Sequence, residues 1–257
     1  GKSTIFNALT GMHQHTGNWP GKTVSNAIGE CKYNKNNFLL VDIPGTYSIM
    51  SNSEEEEIAR NYICFGNPNA TVVILDATSL ERNLNLVYQI MEITDKIVVC
   101  VNLLDEAKKK GISIDLEELE KRLGVPVVGT IARKKKTLNK LMQKVQKVCN
   151  GEIVPKPKTI KYLPAIEQSV EILEEKIEKM LLKKDKSLAR WICLRIIDGD
   201  VKMLNSIEAN FKIKILNNKE LNEEKQKVQD ILQNNGISEE NIKDKLISSI
   251  IFMTENV

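Results

Sequence analysis

The residues best suited to chemistry open the chain, where Gly1-Lys2-Ser3-Thr4 matches the end of a phosphate-binding loop. In such a loop, backbone N–H groups and a lysine meet the β- and γ-phosphates, and a serine hydroxyl ligates Mg²⁺. We therefore expect Gly1, Lys2, Ser3 and Thr4 to contact nucleotide phosphates. Four residues are a weak signal alone, so the prediction depends on the motifs that follow.

Two downstream motifs could complete the phosphate end of such a site. Thr23 can add a second hydroxyl to Mg²⁺, and Asp42, which ends the apolar run 38–41, can hold a metal-bound water. Gly45 has no side chain, so its N–H can approach a γ-phosphate closely. The predicted catalytic residues are accordingly Lys2, Thr23 and Gly45.

A fourth motif could read the base. Asn102 and Asp105 follow the apolar run 97–101. A carboxylate at Asp105 can accept the ring N–H and the exocyclic amine of guanine, whereas adenine offers neither in that geometry, so the motif favours GTP over ATP. Each motif alone is a common turn, but all four in this order, with the acidic ones after buried-strand patterns, indicate a guanine-nucleotide switch protein.

The phosphate loop is incomplete in this sequence. Its full pattern is Gly-x-x-x-x-Gly-Lys-Ser/Thr, and the chain begins at the second glycine. We expect the first glycine and the strand before it to belong to a longer protein. A central strand of the nucleotide-binding sheet should therefore be absent from these 257 residues.

Apolar periodicity predicts an alternation of strands and helices up to about residue 150. The predicted strands are 24–33, 38–42, 71–76, 96–101 and 126–129, and the predicted helices are 3–10, 53–64, 79–93, 116–123 and 137–148. Ser53 with Glu56 forms a capping box at the start of one helix. The alternation predicts an α/β fold, a mainly parallel sheet with helices on both faces that binds ligands at the carboxyl ends of its strands, where every motif falls.

The character of the chain changes after residue 150. Residues 151–158 have the composition of a linker, and strand–helix alternation ends there. Helical patterns then cover 165–182, 188–197, a short stretch after Asp200, 220–233 and 238–253. We predict a nucleotide-binding domain in 1–150, a linker in 151–158 and a small all-α domain in 159–257.

Composition is that of an ordinary globular protein, with 42% hydrophobic and 28% charged residues. No apolar run approaches the roughly 18 to 20 residues needed to span a bilayer. The five widely spaced cysteines predict reduced thiols rather than disulfides or a zinc site. His13 and His15 are too isolated to favour a metal site over a solvated loop.

Charge gives a weaker indication. The net charge of +3 is too small to indicate nucleic acid by itself. Two lysine triplets, 108–110 and 134–136, are local exceptions. Solvated surface explains them most simply, and a face turned toward anionic lipid or RNA is the sharper alternative.

Several longer segments point to one family. They are 17–24 (Gly-Asn-Trp-Pro-Gly-Lys-Thr-Val), 42–48, 102–107, 189–191 and 197–200. Together they resemble the cytosolic N-terminal region of the ferrous iron transport protein B (FeoB) family, and the resemblance covers essentially the whole chain. It implies a GTPase domain, a helical domain that favours bound GDP, and a polytopic membrane domain later in the intact polypeptide.

The resemblance also assigns roles to residues. It implies GTP or GDP and Mg²⁺ as cofactors, with Ser3 and Thr23 on the metal and Asp42 reaching it through water. The backbone N–H of Ala132 would meet the guanine carbonyl, although the family's usual small hydroxyl residue before it is Ile131 here. Potassium is a further candidate cofactor, but the asparagine expected to hold it would precede Gly1.

The implied partners are the transmembrane domain of the same polypeptide, a second copy of the chain, and small accessory Feo proteins. No nucleic acid is expected, and the implied location is the cytoplasmic face of the bacterial inner membrane, with this region itself soluble.

Hydrolysis should be slow. Thr46-Tyr47 follows Gly45 where some GTPases carry a glutamine, and no arginine is an evident finger. Arg60 and Arg82 fall in helix patterns and are expected to be exposed. The attacking water would then be held by loop backbone near residues 19–21. Trp19 in this loop could be a hydrophobic lid or an exposed contact, and a contact that changes with the nucleotide is slightly favoured.

Two other functions fit parts of the pattern. A ribosome-assembly or RNA-associated GTPase would use the same motifs but would need a basic and aromatic RNA-binding module. A helical scaffold with a degenerate nucleotide fold is opposed by the intact Lys2, Thr23, Asp42 and Asp105.

Overall fold

The computed structural model describes residues 1–11, 14–18, 25–50 and 53–257. These residues pack into two compact units, one formed by residues 1–158 with Val257 and the other by residues 159–256. Within the described ranges, no helix is long and apolar enough to cross a membrane.

The first unit alternates strands and helices, as the apolar pattern predicts. Its elements are α1 (Lys2–Thr10), β1 (Gln14–Asn18), β2 (Ser25–Tyr33), β3 (Asn36–Asp42), α2 (Glu54–Phe65), β4 (Thr71–Asp76), a 3-10 turn (Ala77–Ser79), α3 (Leu80–Met91), β5 (Ile97–Asn102), α4 (Leu104–Lys109), α5 (Leu116–Leu123), β6 (Val127–Gly129) and α6 (Lys135–Cys149). Strand β1 has no counterpart in the sequence prediction, and neither has the short helix α4. It spans six residues and begins after Leu103, which has a left-handed backbone (φ 64°).

The strands form two three-stranded sheets. Strands β4, β5 and β6 are parallel, which confirms the predicted architecture, whereas β1, β2 and β3 are antiparallel. A two-residue turn joins β2 to β3, with Asn34 and Lys35 both at positive φ (45° and 66°). Such a turn matches the twist of a hairpin and returns the chain antiparallel, so β2 and β3 run antiparallel to each other.

Strand β5 lies at the centre of the parallel sheet. All six of its residues are buried, as expected of a parallel strand covered on both faces. Helices α1 and α6 cover one side and join the two sheets in a single core, whose buried members are Ile5, Cys31, Val98, Cys100, Val128, Leu138, Leu141, Met142, Val145 and Val148. This packing fixes the start of α1 relative to the carboxyl end of β5.

Residues 155–158 attach to the first unit through their backbone. The N–H of Lys156 donates to the carbonyl of Gly124 (2.9 Å), and the N–H of Lys158 donates to the carbonyl of Leu123 (3.0 Å). Gly124 ends α5 in a left-handed conformation. The approach is close because Gly124 has no side chain to intervene.

The second unit is entirely helical. It contains α7 (Pro164–Met180), a 3-10 turn (Lys183–Leu188), α8 (Ala189–Ile197), α9 (Val201–Phe211), a second 3-10 turn (Lys219–Leu221), α10 (Asn222–Asn234) and α11 (Ile242–Glu255). Asp200 caps α9 by accepting from the N–H of Met203 (2.9 Å), as the sequence predicts. Arg190 binds both carboxylate oxygens of Glu167 (2.9 Å each). Burial alone would raise the pKa of Glu167, but its bonds to Arg190 and its other partners outweigh burial and lower the pKa.

The contact at Gly124 can be tested with a matched glycine. A Cβ at Gly124 would lie 2.1 Å from the carbonyl oxygen of Lys156, whereas a Cβ at Gly151 would meet nothing within 4 Å, and both glycines have positive φ. Gly151→Ala should therefore cost about 1 kcal/mol of unfolding free energy from backbone strain alone, and Gly124→Ala about 3 kcal/mol or more. Urea titration measures both, and equal losses would contradict the close contact.

Candidate functional site

Helix α1 presents its N-terminus where the first motif predicts a phosphate site. Gly1 is the N-cap, and no side chain caps the helix or places an acid in its first turn. Ile5 and Phe6 are buried and anchor the helix, while Ser3 and Thr4 are exposed at its start. Unpaired N–H groups and the positive end of the helix dipole favour an anion at this position.

Three predicted phosphate-end residues come together beside this helix. The Lys2 ammonium forms an ion pair with Asp42 and donates to the carbonyl of Ile43 (2.8 Å). A Cβ placed on Gly45 would lie 3.7 Å from the Lys2 Cε. Strand β3 delivers Asp42 to this position, since its last residue pairs with Ala27 of β2.

The loop after Gly45 is held by a buried glutamine on α3 that the sequence did not reveal. Gln89 is 4% exposed, and its Oε1 accepts from the N–H of Ile49 (2.7 Å) and the hydroxyl of Ser48 (3.0 Å). Its Nε2 donates to Asn85 Oδ1 (3.1 Å), which fixes the amide orientation. The far end of the loop is therefore anchored to α3.

Neighbouring helices hold the same loop in other ways. The Thr46 hydroxyl lies against the Ser48 carbonyl and 3.3 Å from a carboxylate oxygen of Glu56 on α2, and the Arg82 guanidinium lies 4.3 Å from the centre of the Tyr47 ring. Arg60 is buried, contrary to the expectation from its helix pattern, because its Nη1 reaches inward toward the Ile49 carbonyl (3.4 Å). Arg82 is exposed as expected.

A buried polar chain supports the second predicted pair of residues. Asn102, 1% exposed, ends β5, and its Oδ1 accepts from the hydroxyl of Thr130 (3.1 Å). Thr130 follows β6, whose last residue Gly129 pairs with Val101. The sequence prediction missed Thr130, although its place immediately after a strand beside β5 is a signal that could have found it.

Cys100 lies at the other end of this chain of hydrogen bonds. Its sulfur lies 3.2 Å from the Thr130 oxygen. Burial raises the pKa of Cys100 to about 11, against a smaller lowering by Thr130, so the thiol is protonated at neutral pH. Because Thr130 gives its one proton to Asn102, the thiol must donate to Thr130.

The other side of the Asn102 amide is unpaired. Its Nδ2 is buried and has no hydrogen-bond partner among the described residues. A Cβ on Gly1 would lie 3.9 Å from this nitrogen. The amide therefore faces the start of α1, where a backbone carbonyl of a phosphate loop would satisfy it.

Asp105 and Ala132 lie at the mouth formed by the ends of β5 and β6. Asp105 occupies the first turn of α4, and its Oδ2 is 3.6 Å from a guanidinium nitrogen of Arg133. Ala132 is half-buried against the core of the unit. The turn carrying Ala132 is fixed by Thr137, whose hydroxyl bonds to both the N–H (3.1 Å) and the carbonyl (3.0 Å) of Ile131.

Some predicted residues fall outside this description. Thr23, the loop residues 19–21 and His13 are not among the described residues. His15 lies in β1. No group of three or more His, Cys, Asp or Glu side chains is arranged to hold a metal in the described parts of the chain.

Family profiles match both units. The profile described as ferrous iron transport protein B matches residues 1–145, and that of the FeoB cytosolic helical domain matches residues 162–251. The chain is 35% identical over 205 residues to an Fe(2+) transport protein A/Fe(2+) transporter FeoB fusion protein of Porphyromonas gingivalis. It is 32% identical over 205 residues to the Fe(2+) transporter FeoB of Escherichia coli K12.

These alignments cover 79% and 78% of the chain but only 24% and 26% of the two relatives. The chain therefore spans about a quarter of the length of the curated relatives it matches.

Solved structures agree with the profiles. A GDP-bound mutant of S. thermophilus NFeoB superposes with a TM-score of 0.83 at 25% identity, covering 100% of this chain and 93% of that one. The GMPPNP form of the cytosolic domain of T. maritima FeoB gives 0.75 at 29% identity, covering 100% and 92%.

Fold and site together define a P-loop G domain followed by a helical domain. The chain belongs to the ferrous iron transport protein B family. Both matching profiles describe this family, so an RNA-associated GTPase is not favoured.

The anchoring role of Gln89 gives a testable consequence. Gln89→Leu should leave the buried Ile49 N–H unsatisfied, at a cost of about 1–3 kcal/mol. Hydrogen exchange of the Ile49 amide should then accelerate roughly 10- to 100-fold, because local opening becomes easier by that amount. Gln226→Leu on the exposed face of α10 is the matched control, and unchanged exchange at Ile49 in Gln89→Leu would contradict the anchor.

Proposed function

We propose that this chain binds GTP and hydrolyses it slowly, as the regulatory region of a ferrous iron transporter. One observation carries the proposal. The chain brings Lys2, Asp42 and Gly45 together beside the start of α1, and the Asn102 amide also faces that start. That arrangement matches the two ends of a guanine nucleotide.

At the phosphate end, Lys2 would exchange its ion pair with Asp42 for the β- and γ-phosphates. The hydroxyls of Ser3 and Thr4 and the first N–H groups of α1 stand exposed for the same phosphates. The Gly45 N–H would contact the γ-phosphate, which makes the loop after Asp42 sensitive to its presence.

The oxygen donors at this end fit Mg²⁺. Ser3 and Thr23 offer hydroxyls, and Asp42 offers a carboxylate that would act through water, which is the ligand set this ion prefers. When bound, Mg²⁺ neutralises charge on the phosphates. Potassium is a further proposed cofactor, with no ligand assigned to it among residues 1–257.

At the base end, Asp105 would accept the two N–H groups on the edge of guanine. Ala132 would donate its backbone N–H to the guanine carbonyl. Asn102 would tie the base loop to the phosphate loop through its Nδ2, with Thr130 setting the amide orientation. Arg133 would have to yield its contact with Asp105, or share that carboxylate, when guanine binds.

Slow hydrolysis follows from what surrounds Gly45. The next two residues are occupied, Thr46 with Glu56 and Tyr47 with Arg82, and neither can orient water as a glutamine does. The Arg60 guanidinium points toward the Ile49 carbonyl in the interior, so it cannot serve as an arginine finger. Positioning of the attacking water is left to the backbone of residues 19–21.

The wider assignment rests on family membership. We propose a G domain in 1–150, a linker in 151–158 and a GDP-dissociation-inhibitor-like domain in 159–257. The relatives are named Fe(2+) transporters, and the alignments cover only 24% and 26% of their length, which supports a fused transmembrane partner and a place at the cytoplasmic face of the inner membrane. Self-association and small accessory Feo proteins are further proposed partners.

Base selection can be tested at Asp105. Asp105→Asn should weaken GDP binding roughly 100-fold, because two charge-assisted hydrogen bonds are lost and an amide N–H opposes the guanine amine. The same change should improve binding of xanthosine diphosphate, whose carbonyl accepts from that amide. Calorimetric titration measures both, and Asp95→Asn, on the exposed surface, is the control. ATP binding as tight as GTP binding in the parent chain would overturn the proposal.

The rate prediction is separate. With GTP and Mg²⁺ in excess, turnover by the intact protein should stay below about 1 s⁻¹, since unassisted switch proteins run orders of magnitude slower. Phosphate release measures it. A faster rate would show that a group other than those named here positions the water.

A further inference from the structure

Helix α6 concentrates the positive charge of the first unit. Residues 133–151 contain seven lysines and arginines and no acidic residue. The rest of residues 1–158 holds fourteen basic and seventeen acidic residues, so the remainder of the unit is net negative. The charge of the unit is therefore strongly asymmetric.

The start of α6 is electrostatically unfavourable. Lys134 is the N-cap but makes no side-chain cap bond, and the first turn holds no acid. Three exposed lysines, 134–136, instead stand at the positive end of the helix dipole. Helix α5 of the same unit follows the opposite rule, with Asp115 as its cap and Glu117 and Glu118 in its first turn.

Lysine side chains also repel one another along the rest of α6. Lys136, Lys140, Lys144 and Lys147 succeed one another at spacings of four, four and three residues, which places them along one side of the helix over roughly 16 Å. Like charges at these spacings destabilise a helix. Lys144 alone of the four has an ion pair with a described residue, at 3.4 Å from Glu120.

A neighbouring hairpin extends the charged face. The Asn34 side chain donates to Gln146 Oε1 of α6 (3.3 Å), which holds the turn between β2 and β3 against this helix. Lys35, the next residue of that turn, is exposed. The basic face then consists of 134–136, Lys140, Lys147 and Lys35.

Packing, not local electrostatics, holds α6 in place. Its opposite side buries Leu138, Leu141, Met142, Val145 and Val148 in the core. Among the residues of the unit that the structure describes, no acidic side chain forms an ion pair with the basic face. A local feature that opposes stability without an internal gain is expected at functional surfaces.

We propose that this basic face docks on an anionic phospholipid surface. Its charges from 134 to 147 are all lysines, flexible point charges suited to a diffuse layer of head groups. RNA recognition would call for aromatic side chains on which bases stack, and residues 133–151 contain none. The relatives are named Fe(2+) transporters, which gives a lipid surface a place near the chain. Docking of this face rests on the proposed place of the chain at a membrane and requires neither GTP binding nor hydrolysis.

The experiment measures binding of the chain to lipid vesicles by sedimentation. Vesicles of phosphatidylcholine with roughly one-third phosphatidylglycerol should bind it, pure phosphatidylcholine should not, and about 0.5 M NaCl should release it. The triple variant Lys136→Gln, Lys140→Gln, Lys147→Gln should weaken binding roughly 100-fold. Its thermal stability should hold or rise, because like charges are removed, which separates lost docking from lost folding.

The matched control removes three exposed lysines of the second unit, as Lys214→Gln, Lys243→Gln, Lys245→Gln. It carries the same change in net charge and should bind vesicles as the parent does. An equal loss in both triple variants would overturn the proposal, since net charge alone would then explain binding. So would an absence of binding to the anionic vesicles, or tighter binding to a single-stranded RNA of random sequence than to those vesicles.

Discussion

One buried amide governs the geometry of the nucleotide site. Asn102 stands at the carboxyl end of the central strand, and its two polar atoms face different parts of the site. Thr130 takes the oxygen, while the nitrogen is directed to the start of α1. Because the amide is buried, its nitrogen cannot turn to water for a partner, and in the proposed site it would tie the base loop to the phosphate loop.

The loop after Asp42 is held at both ends, which limits the part of it that can move. It is fixed near its beginning by the contacts of Lys2 with Asp42 and Ile43, and fixed again at Ser48 and Ile49 by Gln89. Only residues 44–47 lie between the two anchors. In the proposed site, a response to the γ-phosphate would be limited to this short stretch around Gly45, and its contacts with α2 and α3 are those of Thr46 and Tyr47.

Features that depend on local chemistry could be predicted from the sequence, whereas features that depend on distant partners could not. The apolar runs that end at Asp42 and Asn102 predicted that the motifs lie at strand ends. The N-cap at Asp200 was also predicted from its residue type and position. Gln89 and Thr130 were missed because their partners are 40 and 28 residues away. The helix pattern of α2 predicts an exposed Arg60, because it does not reveal the Ile49 carbonyl that the buried side chain contacts.

The turn at Asn34 and Lys35 was also difficult to predict from the sequence. Both residues have the positive φ values of a hairpin turn that makes β2 and β3 antiparallel. Because neither residue is a glycine, the sequence gives little indication of this turn. The roles of Thr23 and residues 19–21 stay predictions.

The attachment of residues 156–158 to Gly124 and Leu123 has a mechanical consequence. A tensile load on the backbone at residue 158 falls first on two hydrogen bonds, of 2.9 and 3.0 Å, at the end of α5. Strand β6 starts three residues beyond Gly124 and ends beside Thr130. A pull on the chain beyond residue 158 would thus be passed from Gly124 through β6 to Thr130, the residue that orients Asn102. Tension in the backbone would then affect how Asn102 is held.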